Sequence, residues 1–297
     1  MIKIEQSPSR KPDWLKVKLI TTSNYTDMKD LMSTHSLNTV CEEARCPNIY
    51  ECWDNRIATV MILGDTCTRS CGFCSVKTGK PDNVDVDEPA RVADLVDKLS
   101  LRHVVITSVD RDDLKGDFGA EIWYHTVLAI KEKSPECTIE ILTPDFRGYE
   151  PSLDKVFESK PDIFSHNIEC VERISKQVRI QSDWNRSLNV LRYSVKNNLL
   201  TKTGMMVGLG ESDQEVFDTM RIVSAIGVEI FNIGQYLQPT KKHLKVDRFV
   251  EPEIFELYKE YGGKLGFKVV ESGPLVRSSY HADKQAREYG KNNALSF

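Results

Sequence analysis

From Thr59 onward the chain alternates between two rhythms. Short apolar, β-prone runs recur at ATVMIL (58–63), HVVITS (103–108), 138–143, 162–166, 203–208, 228–234 and FKVVE (267–271). Between them apolar residues fall at helical spacing, as Val92, Leu95, Val96 and Leu99 do. Helices are expected after Asp87, over 120–133, near 151–159, across 171–198, over 212–226 and over 252–265. Asp87 with Pro89 behind it, and Ser212, are the expected caps. Strand and helix in strict alternation mean βα units and a parallel sheet. Six units fit between residues 58 and 271, about 210 residues, where an eight-unit barrel needs ~250. The expected fold is α/β, a partial (β/α)6 barrel of the TIM type. An open doubly wound sheet is the alternative, which alternation alone does not exclude. In either, chemistry gathers at the carboxyl ends of the strands.

Outside this stretch the periodicity weakens. RKPDWLK (10–16) reads as an extended arm anchored by Trp14, and Tyr25 to Met32 as a short helix after Asn24. Residues 272–297 form a tail ending in a helix, HADKQAREYG. The expected division is an extension over 1–57, a barrel over 58–271 and a tail over 272–297.

Composition narrows the function. The 297 residues carry a formal net charge of −4, which argues against a nucleic-acid binder relying on bulk electrostatics. No apolar run reaches the ~18 residues that cross a bilayer. MIKIEQSPSRKPDWLK lacks a signal peptide's apolar core and is not an organelle transit helix, so a cytoplasmic protein is expected. In reducing cytosol, clustered cysteines point to metal or catalysis rather than disulfides.

Six of the eight cysteines lie between Val40 and Val76. Cys67, Cys71 and Cys74 form CxxxCxxC in the loop after the first strand. Cys41, Cys46 and Cys52 form CxxxxCxxxxxC fifteen residues earlier. Three thiolates on one tight loop suit three corners of a four-iron cluster, leaving the fourth open. A zinc knuckle is the alternative, but it wants four protein ligands, commonly as two close pairs. Cys137 and Cys170, each beside an apolar run, read as small buried hydrophobes.

CTRSCGFC after the first strand resembles the signature of the radical S-adenosylmethionine (SAM) superfamily. With CEEARCPNIYECW, VDRDDL, MVGLGE, GQYLQPTKKHLKV and GPLVRSSYHAD, nearly the whole chain resembles the lipoyl synthase family. The resemblance implies two 4Fe–4S clusters and SAM as cosubstrate. SAM would bind the open iron of the Cys67/Cys71/Cys74 cluster and yield a 5′-deoxyadenosyl radical. The Cys41/Cys46/Cys52 cluster would donate sulfur to the sixth and eighth carbons of a protein-bound octanoyl chain threaded between the two clusters, which implies that both extensions fold across the strand-end face of the barrel. A serine of RSSY would close its fourth corner, Ser279 rather than Ser278, with Arg277 orienting the tail or the cluster. A serine oxygen is a harder, weaker iron ligand than a thiolate and so is releasable. Thr107, Asn167, Glu169, Gly208 and Gly210 are the candidate SAM contacts at strand ends, and Phe73 matches an aromatic common in the loop. Lys241, Lys242 and Lys245 are the candidate docking surface for an acidic carrier. Among the histidines, His281 belongs to the tail motif and none is assigned as a ligand. The implied partners are an octanoylated lipoyl carrier (glycine cleavage H protein or a dehydrogenase E2 lipoyl domain), an electron donor of the ferredoxin or flavodoxin type, and a protein that rebuilds Fe–S clusters. Neither nucleic acid nor membrane is expected as a partner. A biotin-synthase-like sulfur inserter, or a non-catalytic Fe–S carrier, would share only part of this pattern.

Overall fold

In the computed structural model, residues 10–17, 22–35, 37–54, 57 and 59–292 are described. A 3-10 turn (Asp13–Leu15) comes first, then three helices, α1 (Ser23–Thr34), α2 (Val40–Glu43) and α3 (Ile49–Asp54), with the two-residue strand β1 (Asn38–Thr39) between α1 and α2. Strand β2 (Thr59–Ile62) opens the repeating part. The cysteine loop behind it includes a minimal ladder of β3 (Thr66–Cys67) and β4 (Lys77–Thr78). Then follow α4 (Glu88–Lys98), β5 (His103–Ser108), α5 (Ala120–Lys133), β6 (Thr138–Leu142), α6 (Glu150–Glu158) and β7 (Ile163–Ser165). Helices α7 (Glu172–Val178) and α8 (Trp184–Lys196) precede β8 (Thr201–Val207). The chain closes with α9 (Asp213–Ile226), β9 (Ile230–Gln235), α10 (Pro252–Leu265), β10 (Val269–Gly273) and α11 (Ala282–Asn292).

The sheet runs β1-β2-β5-β6-β7-β8-β9-β10, parallel throughout except for β1. Strand order follows chain order without reversal. A doubly wound sheet must reverse direction at its switch point, so the partial barrel is the observed architecture. Six βα units and a final strand make it up. The antiparallel strand β1 pairs Asn38 with Met61 and Thr39 with Val60. That pairing attaches the first cysteine segment directly to the barrel's opening strand.

Local chemistry moved several boundaries. Helix α1 begins one residue before Asn24 because Thr22 accepts the Tyr25 N–H, while Asn24 donates to the Asp54 carbonyl at 2.9 Å. Asp87 precedes α4 but makes no side-chain cap. Ser212 caps α9 as expected, in a reciprocal capping box with Glu215. The span 171–198 breaks into two helices, and Asp183 caps the second through the Arg186 N–H. Strand β8 starts at Thr201 rather than 203. Lys202 is tolerated there because it pairs with Glu140 at 2.9 Å inside the barrel, both side chains being fully buried. The arm is anchored by Leu15, which is completely buried, rather than by its neighbour Trp14, which is exposed. Cys137 and Cys170 are buried as expected.

Candidate active site

A cavity of about 520 Å³ opens at the carboxyl ends of the barrel strands, a size typical of small-molecule sites. Cys67, Cys71, Cys74 and Phe73 line one wall from the loop after β2. Cys41 and Cys46 line another from α2 and the turn behind it. Arg277, Ser278 and Ser279 approach from the tail, and Thr107, Asn167 and Glu169 stand at strand ends. The two cysteine segments and the tail, up to 238 positions apart in sequence between Cys41 and Ser279, therefore face one space.

Gly208 and Gly210, expected here, are not brought to the cavity. Both have positive φ, +94° and +110°, and form the turn after β8, where Gly208 lies under Gln235 and the Arg248 carbonyl. Glu211 closes that turn by accepting the Gly208 and Leu209 amides at 2.6 and 2.9 Å. The glycines that line the cavity are Gly204, inside β8 and four residues before Gly208, and Gly234 of β9; a Cβ on Gly204 would sit 3.0 Å from Asn167 Oδ1.

The second triplet rests on an ion network. Arg69, inside CTRSCGFC, is 3% exposed. It makes a bidentate pair with Asp112 at 2.8 Å on both oxygens, and reaches Asp145 at 2.7 Å and Asp110 at 3.1 Å. The bidentate fork fixes guanidinium orientation as well as charge. Cys67 Sγ accepts the Arg69 and Asp110 amides, each at 3.4 Å. Burial, with the Asp110 charge beside it, pushes the Cys67 thiol up to about 11 and the Cys71 thiol to about 12. Burial also raises Asp110 to about 6, against the pull of Arg69. Burial beside Asp110 favours neutral thiols on this wall, and bound iron would supply the positive charge that makes them thiolates.

The first triplet is built differently. The Cys46 amide donates to the Cys41 carbonyl at 2.9 Å and the Cys52 amide to the Asn48 carbonyl at 2.9 Å, so two short turns present the thiols. Burial raises all three, Cys41 to about 12, with the charges of its triplet partners adding to the rise for Cys41 and Cys52. The Arg277 charge opposes the rise at Cys46, and burial in turn lowers Arg277. Cys52 does not line the cavity but lies within electrostatic reach of Cys41 and Cys46. Ser278 is occupied: its hydroxyl accepts Asn167 Nδ2 at 2.6 Å and its carbonyl accepts Asn232 Nδ2 at 3.0 Å. Among the described residues the Ser279 hydroxyl has no such partner. A close approach sets this tail, for a Cβ on Gly234 would come within 2.1 Å of the Val276 carbonyl oxygen.

Between the walls lie buried acceptors without partners among the described residues: Thr143 Oγ1, His166 Nε2, Asn167 Oδ1 and Asn232 Oδ1. His166 Nδ1 donates to the Thr143 carbonyl at 2.9 Å, which leaves Nε2 as a bare lone pair. Burial, and then Arg179, lowers His166 to about 4, so it stays neutral. Such a row suits a ligand rich in N–H and O–H donors, as an amino acid joined to a nucleoside is. Glu169 is held at φ +66°, a left-handed backbone rare for non-glycine residues, by pairing with β8. Arg179, 4% exposed, donates to the Ile168 carbonyl at 2.8 Å and to Ser187 at 3.1 Å, and presents its charge to Cys71 and Glu169. His166, Arg69 and Arg179 were not among the residues expected from sequence. His166 beside a strand end and Arg69 inside the cysteine loop carried that much signal; Arg179, at the end of α7, carried none.

Among the described residues, no three His, Cys, Asp or Glu side chains converge on a point where one metal ion would sit. A cube-shaped cluster binds each thiolate through a different iron, so its ligands stand apart, and the donor chemistry of both triplets fits such a cluster.

A family profile for the radical SAM superfamily matches residues 61–223, and one for the N-terminal domain of lipoyl synthase matches residues 2–46. A lipoyl synthase of Flavobacterium johnsoniae is 53% identical over 95% of this chain and 98% of its own length. The mitochondrial lipoyl synthase of Nematostella vectensis is 52% identical over 92% of this chain and 94% of its own. The chain belongs to the lipoyl synthase family. It is thereby a radical SAM enzyme, a class that binds SAM and a 4Fe–4S cluster. Among solved structures, methylornithine synthase (PylB) aligns over 94% of both chains with a TM-score of 0.54 at 13% identity. Streptococcus suis SuiB bound to S-adenosylmethionine aligns over 84% of this chain and 61% of its own, with a TM-score of 0.59 at 13% identity. At that identity the likeness is one of fold. Among the described residues no helix of this family member is long and apolar enough to cross a membrane.

Proposed function

We propose that the protein inserts two sulfur atoms into a carrier-bound octanoyl-lysine, at the sixth and eighth carbons, to give the lipoyl group. The observation that carries this reading is the meeting at one cavity of the CTRSCGFC loop, of Cys41 and Cys46 from the first cysteine segment, and of Arg277, Ser278 and Ser279 from the tail. When bound, the cofactors supply a SAM-derived radical strong enough to open inert C–H bonds, and sulfide to replace the hydrogen. The rest falls to the chain's own residues. Cys67, Cys71 and Cys74 would hold the SAM-binding cluster, and Arg69 keeps their loop in one conformation. Cys41, Cys46 and Cys52 would hold a second cluster, with Ser279 as the releasable fourth ligand. The Ser279 hydroxyl, without a partner among the described residues, and the engaged one of Ser278 support that choice. Thr107, Asn167, Glu169 and His166 would receive the donors of SAM, and Arg277 would face the second cluster as a counter-charge. The apolar cavity wall, with Val40, Met61, Met205 and Leu142, would take the octanoyl chain and exclude water. In this division, residues 1–57 bring the sulfur-donor cysteines, 58–271 the radical chemistry and 272–297 the closing ligand.

The carrier would be an octanoylated lipoyl domain, such as glycine cleavage H protein or a dehydrogenase E2 domain. A ferredoxin- or flavodoxin-type donor would reduce the clusters and an Fe–S assembly protein would rebuild the consumed one, in the cytoplasm. The test is anaerobic. The reconstituted protein should hold about eight irons, two clusters' worth. With SAM, a reductant and an octanoyl-lysine peptide it should give 5′-deoxyadenosine and a dithiolated peptide. Iron without SAM cleavage would instead mark a cluster carrier, and SAM cleavage without peptide thiolation another radical SAM enzyme.

A further inference from the structure

After β9 the chain runs as a strap, residues 238–245, from the cavity rim at Gln238 and Pro239 onto Gly72 and Cys74 of the CTRSCGFC loop. His243 Nε2 lies 2.9 Å from the Cys74 carbonyl oxygen. A carbonyl only accepts, so Nε2 carries the hydrogen and donates. The other ring nitrogen meets Thr240 Oγ1 at 2.8 Å, which fixes the ring plane. One residue further, the Leu244 amide donates to the Gly72 carbonyl at 2.9 Å. Leu244 also covers Gly72 so closely that a Cβ there would lie 2.8 Å from Leu244 Cγ. The strap is itself tied down, with the Tyr236 hydroxyl donating to the Leu244 carbonyl at 2.7 Å and Gln238 to the His243 carbonyl at 2.8 Å. Its turn carries Lys241 and Lys242, with Lys245 just beyond, all exposed. Among the described residues none of these lysines forms an ion pair.

One short segment thus has two ends: cations turned to solvent, and a donor fixed on the backbone of a cluster-loop cysteine. We propose that the strap couples docking to the radical centre. A carboxylate-rich protein surface seated on Lys241, Lys242 and Lys245 tightens the loop holding Cys71 and Cys74, and His243 is the positioning residue that carries the effect. Seating the lysines restrains the turn, and the turn's neighbouring residues are those bonded to Gly72 and Cys74. By linkage the effect runs both ways, so ordering of the loop raises the affinity of the strap for its partner by the same factor. The partner is taken to be the carrier of the proposed function, and on that reading docking and radical formation are timed together.

Amide hydrogen exchange over residues 71–75 tests this in the reconstituted enzyme, with and without the octanoylated carrier domain. The carrier should slow exchange there about fivefold. In His243→Ala, exchange should be faster without carrier and unresponsive to it, while carrier affinity falls by no more than that same factor. His243→Gln keeps an N–H donor and should restore much of the response, which separates the lost bond from a general loss of structure. Equal protection in wild type and His243→Ala, or bound carrier without protection in wild type, overturns the coupling. Lys241→Glu with Lys242→Glu should abolish protection by weakening binding, and undiminished binding overturns the docking surface. Failure of peptide dithiolation would overturn the proposed function instead, since a short peptide bypasses the strap.

Discussion

The two cysteine segments differ in what holds them. The CTRSCGFC loop follows a completely buried strand and is backed by Arg69, whose guanidinium meets three aspartates from two other strand-end loops. The CEEARCPNIYEC segment rests on helices of 4 and 6 residues and a two-residue edge strand. Among the described residues its bonds to the tail include Asn48 to the Leu275 carbonyl at 2.7 Å, and Tyr280 and His281 to Glu51. A site meant to keep its cluster through many cycles should be over-determined. One meant to lose sulfide and be rebuilt should be able to open. The contrast in support matches that division of labour in the proposed function, and it can be broken experimentally.

The largest effect is all-or-none and differs between the segments. Cys74→Ala should abolish SAM cleavage and peptide thiolation together. Cys46→Ala should abolish thiolation while 5′-deoxyadenosine still forms, and Ser279→Ala should follow Cys46→Ala in milder form. Product analysis by mass spectrometry decides it. Loss of SAM cleavage in Cys46→Ala would erase the distinction.

Next in size is Arg69→Met. It leaves Asp110, Asp112 and Asp145 crowded without their shared cation, Asp145 being fully buried. Removing one partner of a buried pair costs about 3–5 kcal/mol. Urea unfolding of the cluster-free protein should show a loss of that order. An equal loss from Glu51→Ala, at an exposed position of the first segment, would mean the two supports do not differ.

How much of this was legible follows from where the partners sit. The two triplets could be read because their ligands are separated by three to six positions, so chain connectivity guarantees nearness. The barrel could be read because each βα unit repeats one local pattern, and helices α5 and α10 began and ended as the periodicity implied. The ion network was hidden because Arg69 meets Asp110 and Asp145 only after two more strands are laid down. Gly208 and Gly210 misled because a glycine pair at a strand end serves a tight turn as well as a ligand. Here the turn needed their positive φ, and Gly204 faced the cavity. Strand β8 was expected to start at 203 rather than 201 because what holds Lys202 in the strand is Glu140, which lies two strands away.

The buried side of the comparison should also carry pH dependence. His166 is lowered from 6.5 to about 4 by burial, then by Arg179. As pH falls through that window the unfolded chain takes up a proton that the folded one refuses. Stability is therefore full above pH 6.5, declines towards pH 4 and levels below it. The contribution is at most about 3 kcal/mol. His166→Asn, which keeps a donor for the Thr143 carbonyl, should flatten that slope in urea titrations of the cluster-free protein. An unchanged slope would place the acid sensitivity elsewhere.

The smallest expected effect bears most directly on how the first segment opens. Tyr280 donates its hydroxyl to Glu51 at 3.2 and 3.1 Å from the two oxygens, and its ring stacks on His281 at 3.8 Å between centroids. Tyr280 follows Ser279, and Glu51 precedes Cys52, so this bond ties the proposed serine ligand to its triplet. Tyr280→Phe keeps the stack and removes the bond. For a partly exposed pair that should cost about 1 kcal/mol, or about fivefold in local opening. Hydrogen exchange over residues 277–282 should quicken by that factor while residues 67–74 remain unchanged, and SAM should be cleaved more often without thiolation. If both regions loosen together, the two segments open as one unit, and the difference in their supports has no functional consequence.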